Sequence, residues 1–277
     1  MHALPSAIAL LTAGALSPAL IRALAGGGHT RRNYRGREMP VPLGILVPAA
    51  ALLTLVPVML IQRLADVQLL YGASGIVALY ALGVLVLGLI DDMVGGGGHA
   101  PRGIRAHASA LLGGQMSTGA LKAAGSLGLA LFALGFLHLS NGRWLLAAAV
   151  LVLATNAFNL LDLRPGRAVK VFVVLGAALS AATADLRTLW LLGLFAAPAV
   201  VAGGYDLRER GMLGDTGSNL LGALAGLWLV FTLSGTGQAI ALAALLIITV
   251  YGEFFSISEL VERTPGLREL DSWGRPS

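Results

Sequence analysis

The sequence predicts an all-α, polytopic helical membrane protein, and three observations carry that expectation. Of its 277 residues 56% are hydrophobic and only 12% are charged, against roughly 25% charged in soluble domains. Long apolar stretches recur along the whole chain, several of them near the roughly 20 residues that cross a hydrocarbon core. The basic residues gather in alternate connections between those stretches, the pattern of short cytoplasmic loops.

Apolar runs near 3–25, 41–62, 69–90, 119–140, 144–163, 169–184, 188–205, 218–234 and 238–256 give nine expected transmembrane helices. The 169–184 and 218–234 runs are short and glycine-containing, so the count spans eight to ten. The first run lacks a basic leader and a small-residue cleavage pattern, and is expected to be a retained span rather than a signal peptide. Alternate connections hold Arg31, Arg32, Arg35 and Arg37, then Arg102 and Arg105, then Arg164, Arg167 and Lys170, then Arg208 and Arg210, and finally Arg263, Arg268 and Arg275. Those are 14 of the 19 basic residues, while Arg63, Arg143 and Arg187 occupy the other connections. The N-terminus is thus expected outside and the C-terminus in the cytoplasm. Residues 1–256 form one transmembrane domain, and 257–277 a cytoplasmic tail. In that tail Leu260, Val261, Leu267, Leu270 and Trp273 suit the apolar side of an interfacial helix pair broken at Pro265.

The chain has no cysteine, which excludes disulfides, thiolate zinc sites and cysteine nucleophiles. With so few charges, polar clusters at span ends are informative, because ionisable groups at membrane depth are costly and mark wet, functional cavities. Asp91 and Asp92 end span 3. Asn156, Asn159 and Asp162 lie in NAFNLLD at the end of span 5, within an arc of about 120° on a helix. Asp215 lies in Gly214-Asp215-Thr216-Gly217-Ser218, a turn whose backbone N–H groups offer a phosphate cradle at the start of span 8. Lys122 stands in the first turn of span 4, and all of these fall on the cytoplasmic side. Oxygen ligands without cysteine or paired histidine suit a hard cation such as magnesium, held by carboxylates and substrate phosphates. A cation, a lysine and amides at a membrane surface fit phosphoryl chemistry.

LIDD at 89–92, NAFNLLD at 156–162 and GDTGSNLLG at 214–222 together resemble the polyprenyl-phosphate N-acetylhexosamine-1-phosphate transferase family. That family includes the phospho-N-acetylmuramoyl-pentapeptide and UDP-N-acetylglucosamine-1-phosphate transferases of bacterial envelope synthesis. Lys122 falls where the family carries a lysine, and the motifs span roughly residues 20–256. The resemblance implies transfer of a sugar-1-phosphate from a UDP-sugar to a polyprenyl phosphate, with release of UMP. It implies magnesium (Mg2+) or manganese (Mn2+) on Asp215, with Asn159 as a second oxygen donor, and Lys122 on the pyrophosphate. Asp91 or Asp92 would activate or orient the lipid phosphate. Asn156 and Asp162 would shape the nucleotide site, with Gly214 and Ser218 as further substrate contacts. Arg35 and Arg37, in the first inner loop, are candidates to bind anionic substrate or only anionic lipid, since the positive-inside pattern alone accounts for their charge.

The chain departs from that pattern at several places. Pro165 stands where the pentapeptide enzymes carry a second acid, and Met212 where they offer a phenylalanine. Gly95 to Gly98 replaces a third aspartate of the N-acetylglucosamine branch, and no histidine follows Phe255. The donor is therefore expected to differ from UDP-muramoyl-pentapeptide. His29, His99 and His107 are scattered and are read as solvated or satisfied. Arg263, Arg268 and Arg275 offer an alternative set of donor-phosphate contacts. The partners expected are the UDP-sugar, the lipid acceptor and the bilayer of a plasma (inner) membrane, with no nucleic acid; a homodimer is left open. The alternatives are a degenerate lipid-binding or scaffold homologue and, less favoured, a transporter, whose sites lie near the midplane between inverted repeats.

Overall fold

The computed structural model describes residues 1–94 and 117–276. Gly95–Gly98, His99, Arg102, Arg105 and His107 lie outside the described residues. The protein is mostly helical, and among the described residues six helices are long and apolar enough to cross a membrane.

Helix α1 (Ala3–Gly26) leads into a short antiparallel hairpin, β1 (Thr30–Arg32) and β2 (Glu38–Pro40), in register Thr30↔Pro40, Arg31↔Met39 and Arg32↔Glu38. The hairpin is an addition to the all-α expectation. Its turn is closed by Asn33, whose side-chain oxygen accepts from the backbone N–H groups of Arg35 and Arg37, and by Gly36 at φ 76°. That Asn-x-x-Gly chemistry is what a tight turn requires. A single 3₁₀ turn, Leu43–Ile45, then feeds α2 (Leu46–Leu64).

Six long helices follow among the described residues: α3 (Ser74–Val94), α4 (Thr118–Leu134), α5 (Asn141–Leu161), α6 (Arg167–Thr183), α7 (Arg187–Leu207) and α8 (Gly214–Thr232). The last long helix is α9 (Gly235–Phe254), and two short ones close the chain, α10 (Ile257–Arg263) and α11 (Leu267–Ser272). The nine expected runs each coincide with one of these nine long helices. Several boundaries moved: α4 ends at Leu134 rather than near 140, and α2 begins at Leu46 rather than near 41. Helix α3 begins at Ser74 rather than near 69 and runs through Asp91 and Asp92 to Val94. Helix α8 begins at Gly214, so the segment read as a turn is its first helical turn.

Helix α8 is the axis of the bundle. Sixteen of its 19 residues are buried, and α3, α5, α6 and α7 pack around it. A helix buried all round need not be amphipathic, and small residues let neighbours approach its backbone closely. A Cβ on Gly222 would meet Thr155 Cα of α5 at 2.6 Å, and one on Gly88 of α3 would run into the backbone of Asp215. Gly88 therefore sets the distance at which the end of α3 meets the start of α8. Deeper in the bundle, Phe158, Phe172 and Trp228 pack edge to face, joining α5, α6 and α8. Helices α1, α2 and α7 form a second layer. Helix α9 packs mainly on α5 and leaves Ile240, Ile247, Val250 and Phe254 exposed.

Candidate functional site

The chemistry-bearing residues meet at one end of the bundle, where α3 and α5 end and α4 and α8 begin. Lys122 Nζ lies 2.7 Å from Asp91 Oδ2 and 2.5 Å from Asp215 Oδ2. One ammonium from α4 thus joins a carboxylate from the end of α3 to a carboxylate from the start of α8. All three side chains are partly open, at 17% for Lys122, 18% for Asp91 and 29% for Asp215.

Asp92, the next residue, is turned elsewhere. Its carboxylate accepts from the backbone N–H of Asp215 at 3.1 Å, the backbone N–H of Thr216 at 2.8 Å and the Thr216 hydroxyl at 2.7 Å. It caps α8 from another helix, satisfying donors that the first turn of any helix leaves orphaned. Arg31 Nη1 approaches it at 3.6 Å, and its side chain is only 2% exposed. The phosphate cradle expected at these amides is accordingly filled by the protein's own carboxylate. Gly214, at φ 70°, makes room for this: a Cβ there would stand 2.6 Å from Asp92 Oδ2.

Ser218 follows Asp215 by three residues and so shares its side of α8. Its hydroxyl donates to Asn159 Oδ1 at 3.1 Å, which brings α5 to the carboxylate cluster. Asn156 does not join it; exposed, it donates to Thr249 Oγ1 of α9 at 3.3 Å. Asp162 follows the last turn of α5 and lines a cleft with Asn33, Tyr34, Leu163, Arg164, Pro165, Asp206 and Met212. Arg35 and Arg37 belong to the hairpin's own anchor, because both pair with Glu209 at 3.4 Å. Tyr34 and Asn33 donate to the same carboxylate, so Glu209 holds the hairpin over this end of the bundle.

Several residues here escaped the sequence reading. Asp206 accepts from Gly166 N at 2.6 Å and Leu213 N at 3.4 Å, tying the turn after α5 to the loop before α8. It carries the same signal as Asp91, a carboxylate at the end of an apolar run. Thr216 lies within GDTGSNLLG, where the neighbouring Asp215 carries the more evident signal. Arg31 was hidden among loop arginines whose charge topology alone explains.

The C-terminal segment is docked at the same end. Asp271 accepts from Arg167 Nε and Nη2 at 2.7 and 2.9 Å and from Arg275 Nη1 and Nη2 at 2.9 and 2.8 Å. Lys170 Nζ caps the last carbonyls of α11, those of Leu270 and Asp271, as a cation at a helix C-terminus should. The opposite side leaves Leu260, Leu267, Leu270 and Trp273 exposed. Partial burial would raise the Asp271 carboxyl, but hydrogen bonds from Arg167 and Arg275 outweigh it and hold the group at about 2 instead of 3.8. A depressed carboxyl stabilises docking fully above its unfolded value and loses that contribution as pH falls through its folded value. The segment should therefore stay docked at neutral pH and loosen only between 3.8 and about 2. A nitroxide on Leu270→Cys, in a chain with no other cysteine, should show unchanged mobility from neutral pH down to that window; loosening near pH 6 would contradict it.

Among the described residues no group of three or more His, Asp or Glu is arranged to hold a metal without other donors. No protein-family model matches the chain, and no curated protein matches it significantly.

Proposed function

We propose that the protein is a membrane transferase that moves a sugar-1-phosphate from a UDP-sugar to a polyprenyl phosphate and releases UMP. The observation that carries this is the Asp91–Lys122–Asp215 triad: three separate helices deliver two carboxylates and one ammonium to a partly open site at the end of an apolar bundle. The nine long helices would all cross the bilayer, with this end cytoplasmic, in keeping with the basic residues of the hairpin, the 162–166 turn, the 208–213 loop and the tail.

In the reaction a lipid-phosphate oxygen attacks the β-phosphorus of the donor. A new P–O bond forms, the bond from β-phosphorus to the bridging oxygen breaks, and its electron pair leaves on UMP. A largely ionised lipid phosphate needs little help from a base, so positioning and charge compensation dominate. Lys122, held between Asp91 and Asp215, would give its remaining donor to the pyrophosphate. Asp91 would orient the incoming phosphate, since Asp92 is engaged with α8. Asp162 and the cleft beside it would receive the nucleoside, with the Tyr34 ring as one wall.

The donor set fits magnesium in kind, because every candidate atom is a hard oxygen. Asp215 and Asn159 would hold the ion together with substrate phosphates. When bound, it would neutralise charge on the pyrophosphate.

The test is direct. The purified protein is given undecaprenyl phosphate, magnesium and a panel of UDP-sugars, and UMP release is measured. Release well above an Asp215→Ala control is expected with at least one donor. No release above that control with any donor would overturn the enzymatic assignment in favour of a lipid-binding scaffold or a transporter.

A further inference from the structure

We infer that residues 257–276 form a positioning strap for the cleft beside the triad, with Arg275 as the positioning residue through which the strap acts. The inference rests on the transferase proposal for its kinetic readout, but its structural content stands on the contacts alone.

Three of the residues lining the cleft are held from the tail. Arg275 Nε donates to the carbonyl of Pro165 at 2.7 Å. The carbonyl of Pro276 accepts from Arg35 Nη2 at 3.0 Å, while Arg35 Nε donates to the Tyr34 hydroxyl at 2.7 Å. Glu262 of α10 pairs with Arg164 at 2.6 Å, and the Arg164 guanidinium lies 4.4 Å over the centre of the Tyr34 ring. Tyr34, Arg164 and Pro165 come from the hairpin and from the turn after α5, two elements far apart in sequence. The tail is a bridge between them.

The bridge is stiff. Asp271 is gripped in two bidentate pairs, one to Arg167 at the start of α6 and one to Arg275. Side-chain exposure is 4% for Arg167, 11% for Asp271 and 9% for Arg275. Such planar, desolvated forks fix orientation as well as distance. Arg167 Nη1 also donates to Ser258 Oγ at 3.1 Å, so α10 and α11 are fastened to one side chain. Beyond Asp271, Gly274 leaves just enough room for Leu207, which an added Cβ would approach at 3.3 Å. The surface charges of a tail that merely rests on lipid would face water. Here Asp271, Arg167 and Arg275 turn inward and end on the cleft.

A strap that only positions the cleft predicts a split between binding and turnover. Arg275→Ala should raise the donor KM about tenfold, the effect of one lost charge-assisted fork, with kcat and lipid-acceptor KM little changed. Arg275→Lys keeps the charge without the fork and should fall between. Asp271→Asn should resemble Arg275→Ala. Hydrogen–deuterium exchange on the same full-length variants supplies a readout independent of activity. Exchange is expected to rise at 33–37 and 163–167 as well as in the tail. Exchange that rises only within 257–276, or an unchanged donor KM, would overturn the strap. If the wild type releases no UMP but exchange spreads to both cleft segments, the transferase proposal fails and the strap stands. Should Arg275→Ala aggregate, Arg275→Lys carries both measurements.

Discussion

Lys122→Ala is expected to reduce UMP release about a thousandfold, the range seen when a preorganised charge-stabilising group is removed from an active site. Two losses combine. The pyrophosphate loses its fixed cation, and Asp91 and Asp215, which share the Lys122 ammonium, are left facing each other across a site of reduced dielectric. Unpaired like charges there are costly, so the thermal midpoint should fall as well. Lys122→Arg would not rescue turnover, because a flat guanidinium cannot replace a compact ammonium seated between two carboxylates. Adding Asp91→Asn to Lys122→Ala removes the repulsion, and the midpoint should recover while turnover does not. Such non-additivity belongs to residues in direct contact. Near-normal UMP release by Lys122→Ala would remove the triad from the chemistry.

The triad and the bundle were legible in the sequence to different depths. Stretches near 20 apolar residues announced the helices, since a bilayer-length run leaves little else to form. Asp91, Lys122 and Asp215 are far apart in sequence, yet placing each at a span end on the same side was enough to bring them together. Apolar counting began α8 near 218, because it ignores a polar first turn; that turn is helical since Asp92 satisfies its amides. The strands at 30–32 and 38–40 are too short for any period to show, and only Asn33 and Gly36 hinted at the turn between them. The tail's docking could not be read either. Asp271 and Arg167 pair across 104 positions, and in sequence Arg167 resembles any basic residue of a cytoplasmic connection and Asp271 the solvated side of an amphipathic helix.

The division of labour within the aspartate pair was likewise hidden, and it yields the sharpest expectation. Adjacent helical residues point about 100° apart, so Asp91 can meet Lys122 while Asp92 meets the start of α8. Asp92→Asn should lower stability by about 1–2 kcal/mol, the scale of a buried hydrogen bond left unmade, since the amide keeps one acceptor oxygen but its NH2 cannot accept from the donors that the second carboxylate oxygen satisfied. Turnover should fall with it by about a hundredfold through displacement of Asp215. Asp91→Asn should leave the thermal midpoint unchanged while cutting turnover and raising the KM for the lipid phosphate, because Asp91 is open to the site at 18% and Asp92, at 2%, is not. The pair is told apart by measuring thermal midpoint, kcat and lipid-acceptor KM on both variants. If Asp92→Asn kept its midpoint and lost only affinity for the lipid phosphate, Asp92 would be the substrate-facing carboxylate and the roles argued from its three hydrogen bonds would be reversed.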